Sequence, residues 1–151
     1  MKVRVPLLPR WLRWSVVVGI AGFIFYTSIL VAPPSSPIDT LRFELIPLDK
    51  WRHFLAYGVL AGSILYATVD RQVSVLGSVS LVVGLAFVYG VGIEFGQSLI
   101  PNRYFSLLDA YANFLGTLLV TPWYLVRRHV EFAEVRTWIS EFGVTTDTQQ
   151  E

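Results

Sequence analysis

The side chains able to do chemistry in this 151-residue chain are few, and they recur at helical spacing. Asp49, His53 and Tyr57 follow one another at i, i+4 and i+8, and Lys50 precedes His53 by three positions. Glu94 and Gln97 stand i, i+3, while Asp109, Asn113 and Gly116 run i, i+4, i+7. On a helix each set forms one polar stripe. Two chemistries suit such stripes if they meet. In one, His53 or Glu94 is a general base, Asp109 orients it, and Lys50 with Arg103 stabilises developing negative charge. In the other, Asp49, Lys50, Tyr57, Gln97, Arg103 and Asn113 hold a polar ligand that is not transformed.

Plainer readings stand beside these. His53 suits a general base or metal ligand, and equally a neutral imidazole hydrogen-bonded to Asp49 or Glu94. Ser106-x-x-Asp109 has the form of a capping box, and a carboxylate there also meets the positive end of a helix. Arg103, in the turn Pro101-Asn102-Arg103, can clamp an anionic headgroup or pyrophosphate with its planar fork, or simply pair with Asp109 or Glu94. Glu94 lies inside an apolar run, where an unpartnered carboxylate costs several kcal/mol, so pairing with Lys50, Arg103 or His53 is expected. A zinc site built from His53, Glu94 and Asp109 would have one histidine and no HExxH spacing, so no metal and no other cofactor is expected. With no cysteine in the chain, disulfides, thiolate metal sites and cysteine nucleophiles are excluded.

The elements that must carry these groups are strongly apolar. The chain is 54% hydrophobic and 15% charged with a mean hydropathy of +0.54, too apolar for a soluble fold of this size to hide. A net charge of +1, without a basic stripe interleaved with aromatics, excludes nucleic acid as a partner. Apolar runs at about residues 14–32, 50–69, 73–100 and 107–126 each approach or exceed the roughly 20 residues that cross a bilayer. The first ends at Pro33-Pro34 and lacks a small-x-small cleavage site, which favours an uncleaved anchor over a signal peptide. The predicted fold is therefore all-α: a polytopic four-helix transmembrane bundle over residues 1–128.

Orientation follows from the basic residues. Lys2, Arg4, Arg10, Arg13, Arg71, Arg127, Arg128 and Arg136 fall on one side of the predicted spans, against Arg42, Lys50, Arg52 and Arg103 on the other. The positive-inside rule then places both termini in the cytoplasm of a multi-pass cell-membrane protein, with the polar stripes toward the outer face. Arg52 reads as an interfacial snorkelling residue, and Trp14, Trp51, Trp123 and Tyr124 as aromatic-belt anchors. Gly58 with Gly62, and Gly92 with Gly96, have the spacing of helix contacts. An extended outer loop is expected over residues 33–49. In residues 129–151, Val135, Trp138, Ile139 and Phe142 predict a short amphipathic helix on the cytoplasmic membrane surface, followed by a disordered polar tail.

Taken together, Asp49-Lys50-x-x-His53-Phe54-x-x-Tyr57, Glu94-x-x-Gln97 and Pro101-x-Arg103-x-x-Ser106-x-x-Asp109-x-x-x-Asn113-x-x-Gly116 resemble the signature of VanZ-like membrane proteins, over roughly residues 33–126. The resemblance implies a small polytopic protein of the cell envelope. It also implies a link to glycopeptide-antibiotic resistance, notably against teicoplanin, through an activity that is unsettled for the family. The partners it leaves in view are the bilayer itself and a lipid headgroup, a lipid-linked envelope intermediate or an amphiphilic antibiotic at the outer face. A membrane-embedded hydrolase or transferase acting on a lipid or lipid pyrophosphate, and a purely structural polar cluster, are the alternatives.

Overall fold

The computed structural model describes residues 2–31 and 48–135. A first strand, β1 (Val3–Leu7), leads through Pro9 into helix α1 (Arg10–Phe25), which continues as a wider π-helical turn over Tyr26–Leu30. Then come α2 (Leu48–Thr68), α3 (Val75–Ser98) and α4 (Leu107–Thr117). The chain tightens to a 3-10 turn at Leu118–Val120, and a short helix α5 (Trp123–Val126) and a second 3-10 turn lead to strand β2 (Val130–Glu134).

Local chemistry sets the helix ends. The Pro9 carbonyl accepts from the Leu12 and Arg13 amides at 3.0 and 3.2 Å, and proline's fixed φ suits a helix start. Ser74 and Ser106 cap α3 and α4 by accepting from the amides of Gly77 and Asp109 at 3.1 and 3.2 Å. Pro122 ends the helical run that begins with α4, because it has no amide hydrogen and its ring crowds the carbonyl four residues back. Ahead of it, the hydroxyls of Thr117 and Thr121 bond back to the carbonyls of Phe114 and Leu118 at 2.7 and 2.8 Å. The segment expected as one span over residues 107–126 is therefore α4, a tightened turn and α5.

Side-chain contacts fix the alternation of direction. Arg13, early in α1, donates to the carbonyls of Tyr66 and Ala67 late in α2. At the other end, Gln97, late in α3, donates to the Ser28 carbonyl. Ser78, early in α3, bonds Tyr124 of α5 at 3.0 Å. One end of the bundle thus gathers β1, β2 and the Arg13 contacts, and the opposite end gathers Asp49, Glu94 and Asp109. Between them Leu60, Ala61, Val82, Ala86 and Ile93 form the buried core. Helices α2 and α4 cross closest: a Cβ at Gly116 would stand 2.2 Å from the Phe54 carbonyl oxygen, and one at Gly58 would stand 2.8 Å from Leu119 Cδ1. Gly58 therefore works across the crossing with Gly116. Gly62 and Gly92 would meet nothing within 4 Å, so neither makes the close approach its spacing predicts.

Among the described residues two helices are long and apolar enough to cross a membrane: Arg10–Leu30, with mean hydropathy 1.5, and Val75–Ser98, with 2.1. Helix α2 is continuous but opens with the polar residues Asp49, Lys50, Arg52 and His53, and α4 has only 11 residues.

One expectation is corrected. Residues 129–134, predicted to begin an amphipathic helix, are a turn and strand β2, which pairs parallel with β1 in the register Val3↔Val130 to Leu7↔Glu134. Val130 and Phe132 alternate with the exposed Glu131, a period of two that fits a half-covered strand, and β1 supplies the backbone partners that the segment lacks by itself. The rest of that predicted helix, the polar tail and almost all of the predicted outer loop lie outside the described residues.

Candidate functional site

Helices α2, α3 and α4 bring three polar stripes to one end of the bundle. On α2 the stripe runs from surface to interior: the side chain of Asp49 is 58% exposed and that of His53 14%, while Tyr57 is 1% exposed. Glu94 of α3 and Asn113 of α4 are fully buried, and Asp109 nearly so.

His53 lies at the centre. Its Nδ1 is 3.0 Å from Asn113 Oδ1 and 3.8 Å from Glu94 Oε1, and its Nε2 is 3.8 Å from Asp49 Oδ1 and 3.9 Å from Asp109 Oδ1. With the amide oxygen of Asn113 accepting, Nδ1 carries the proton and Nε2 faces two carboxylates. Lys50 Nζ bonds Asp109 directly and reaches Asp49 at 3.3 Å. The capping arrangement at α4 is half complete: Asp109 donates its amide to Ser106 Oγ, but the Ser106 amide turns to Glu94 Oε2 at 3.4 Å. That exchange leaves the Asp109 carboxylate to Lys50.

Beneath His53 three buried polar atoms have no hydrogen-bond partner among the described residues: Glu94 Oε1, Tyr57 OH and Asn113 Nδ2. Gly90 makes room for two of them. A Cβ there would stand 2.9 Å from Tyr57 Cε1 and 3.2 Å from Asn113 Nδ2, and Gly90 lies one helical turn before Glu94. Two donor-bearing side chains thus meet α3 at Gly90, one helical turn from the acceptor on Glu94. Leaving such groups unpaired in an apolar interior costs about 1–3 kcal/mol each.

No family model, no curated protein and no solved structure matches the chain. What the site can do must be read from its own geometry.

Asp49, His53 and Asp109 offer ligand atoms within 4.8 Å of one another. Bonds of about 2.1 Å place tetrahedral ligands about 3.4 Å apart, so a cation there requires the carboxylates to close in and Lys50 to leave Asp109. A hydrogen-bond donor of a ligand fits the same acceptors without displacing that lysine.

Of the predicted site residues, Asp49, Lys50, His53, Glu94, Asp109 and Asn113 come together, with Tyr57 below them. Gln97 and Arg103 make a different contact: Gln97 Nε2 and Arg103 Nη1 each donate to the Ser28 carbonyl at 3.1 Å. Ser28 lies in the π-helical turn, and Asn102, in the left-handed region at φ 65°, shapes the turn that presents Arg103. Asparagine tolerates that backbone conformation better than most residues.

The sequence stripes missed a second polar group at the opposite end. Arg13, only 3% exposed, holds Asp70 through both guanidinium nitrogens at 2.9 and 3.2 Å while bonding the Tyr66 and Ala67 carbonyls. The Arg13 guanidinium pulls the Asp70 carboxyl down to about 2. The signal was present in the sequence: an arginine at the start of one apolar run and an aspartate at the end of the next must meet if the runs are antiparallel. The Tyr66 hydroxyl extends this group by donating to the Pro6 carbonyl and accepting from the Leu8 amide, which ties β1 to α2.

Proposed function

We propose that the chain spans a cell membrane four times with both termini cytoplasmic, and that the end bearing His53 is an outward-facing site for a polar headgroup rich in hydrogen-bond donors. A lipid, a lipid-linked envelope intermediate or an amphiphilic antibiotic all carry such a group. The observation that carries this reading is the buried Glu94, with one carboxylate oxygen unpartnered beside Tyr57 OH and Asn113 Nδ2. A ligand hydroxyl, which both donates and accepts, can partner all three kinds of atom, and a ligand ammonium can partner the Glu94 oxygen.

Several features support the membrane reading. Only 17% and 28% of the two most apolar helical windows are buried within the chain, so most of their apolar surface faces outward, as lipid contact requires and a soluble core helix does not. The weight of basic residues on one side of the proposed spans supports this orientation. The site itself carries Asp49, Asp109 and Glu94 against one lysine, and Arg103 reaches toward Ser28, so donors suit it better than a phosphate does. VanZ-like proteins, which the motifs resemble, are the family to which this reading assigns the chain.

A second reading, hydrolysis or transfer at a lipid or lipid pyrophosphate, is favoured by the position of His53 Nε2 between two carboxylates, where it could take a proton from an attacking hydroxyl. One experiment separates the readings. Purified full-length protein is titrated with phosphatidylethanolamine, a glycolipid, a polyprenyl pyrophosphate and teicoplanin, following both binding and product release. Saturable binding without turnover, lost in H53A and E94Q, supports the headgroup site; turnover lost in H53A establishes the enzyme. If both variants bind everything the parent binds and differ only in thermal stability, the cluster is a helix lock and the proposal fails.

A further inference from the structure

The opposite end of the bundle holds a cavity of about 200 Å³ that the His53 site does not involve. Leu65, Val69, Trp123 and Phe132 line it together with the polar side chains of Ser78, Arg71 and Arg127. Both arginines are exposed, and neither meets a carboxylate among the described residues. The acid nearest in sequence, Asp70, is already held by Arg13 and Arg10. Glu131 alternates with the wall residues Val130 and Phe132, and so points to the other face of β2. Arg127 lies over the Tyr124 ring at 5.9 Å, and the Tyr124 hydroxyl is engaged by Ser78. The result is a small recess of mixed lining, more polar than apolar, whose two arginines have no carboxylate partner among the described residues.

We infer that this recess binds the phosphate headgroup of an anionic phospholipid from the cytoplasmic leaflet. The proposal rests on the reading that the chain lies in a membrane with this end inward, and is otherwise independent of the His53 site. Charge complementarity selects the occupant. Basic pockets between helices on the cytoplasmic side attract anionic headgroups, and the planar guanidinium fork matches phosphate oxygens. Size selects it as well: pockets for whole drug-sized ligands run to about 300–1,000 Å³, so this volume suits a headgroup and the first carbons below it, with the acyl chains left in the bilayer. Trp123, in the wall, has the amphipathic ring that favours headgroup depth.

The test uses the full chain in nanodiscs of phosphatidylcholine with graded phosphatidylglycerol, with retained lipid counted by native mass spectrometry. Preferential retention of phosphatidylglycerol is expected. In R71Q/R127Q its affinity should fall about thirtyfold, from about tenfold per 1.4 kcal/mol and about 1 kcal/mol per basic residue near the surface. R71K/R127K should retain most of the preference, because charge at the mouth survives. Both positions are exposed, so these variants should keep the parent's unfolding temperature and its ligand binding at the His53 site. Equal retention in R71Q/R127Q and the parent overturns the proposal. So does displacement of phosphatidylglycerol by inorganic phosphate at matching concentration, which would make the ligand a soluble anion.

Discussion

Placing a methyl group on Gly116 tests the packing that assembles the site. The added Cβ would lie 2.2 Å from the Phe54 carbonyl oxygen, 3.0 Å from the Phe54 carbonyl carbon and 3.2 Å from the Gly58 nitrogen, all backbone atoms with no rotamer to change. Carbon and oxygen in close contact sit about 3.3–3.6 Å apart, so α2 and α4 must separate by about 1 Å. Overpacking of this kind costs about 1–3 kcal/mol. It also pulls apart the pairs that bridge the same two helices, His53 with Asn113 at 3.0 Å and Lys50 with Asp109. Thermal unfolding of G116A should therefore show the largest loss of a glycine series, accompanied by loss of ligand binding. G58A should lose less, because its closest neighbour is the movable Leu119 Cδ1 at 2.8 Å. G62A, which meets nothing within 4 Å, should be neutral or gain up to about 1 kcal/mol from the better helix propensity of alanine. If G116A and G62A unfold alike, α2 and α4 do not cross at Gly116 and the proposed meeting of their stripes loses its basis.

Further predictions follow from particular contacts. The Asp70 carboxyl, drawn down to about 2 by Arg13, titrates at about 3.9 when unfolded, so its contribution is complete above that value and fades as pH falls toward 2. The loss of unfolding temperature on acidification through that window should be smaller in D70N than in the parent. At neutral pH, D70N should cost about 1–3 kcal/mol, because the buried Arg13 loses its negative partner and one of the two side-chain oxygens it holds. Gln97 and Arg103 share one acceptor, the Ser28 carbonyl, so a double-mutant cycle of Q97L and R103L should be non-additive by at least about 0.5 kcal/mol, and strict additivity would refute the shared contact. Replacing Asn102 by valine should cost about 1–2 kcal/mol in unfolding measurements, because its φ of 65° crowds a branched side chain, whereas N102G should be nearly silent.

The periodicity of 3.6 residues per turn was enough, with no knowledge of contacts, to put Asp49, His53 and Tyr57 on one face and Asp109, Asn113 and Gly116 on another, because a helix fixes the direction of every side chain it carries. Lengths of apolar sequence likewise showed where α1 and α3 run. Three things needed the tertiary structure. Gln97, on the stripe of Glu94, and Arg103, in the turn that follows α3, were expected at the same site yet turn to Ser28, a choice set by a π-helical turn in a helix distant in sequence. Gly58 spends its missing side chain on Gly116 and Gly62 does not, because a crossing point depends on where two axes meet and not on spacing along either one. Residues 130–134 became a strand because Val3–Leu7 supplies their hydrogen-bond partners from the far end of the chain. Local sequence sets which way a side chain points along its own element; which distant group stands opposite is decided only when the elements pack.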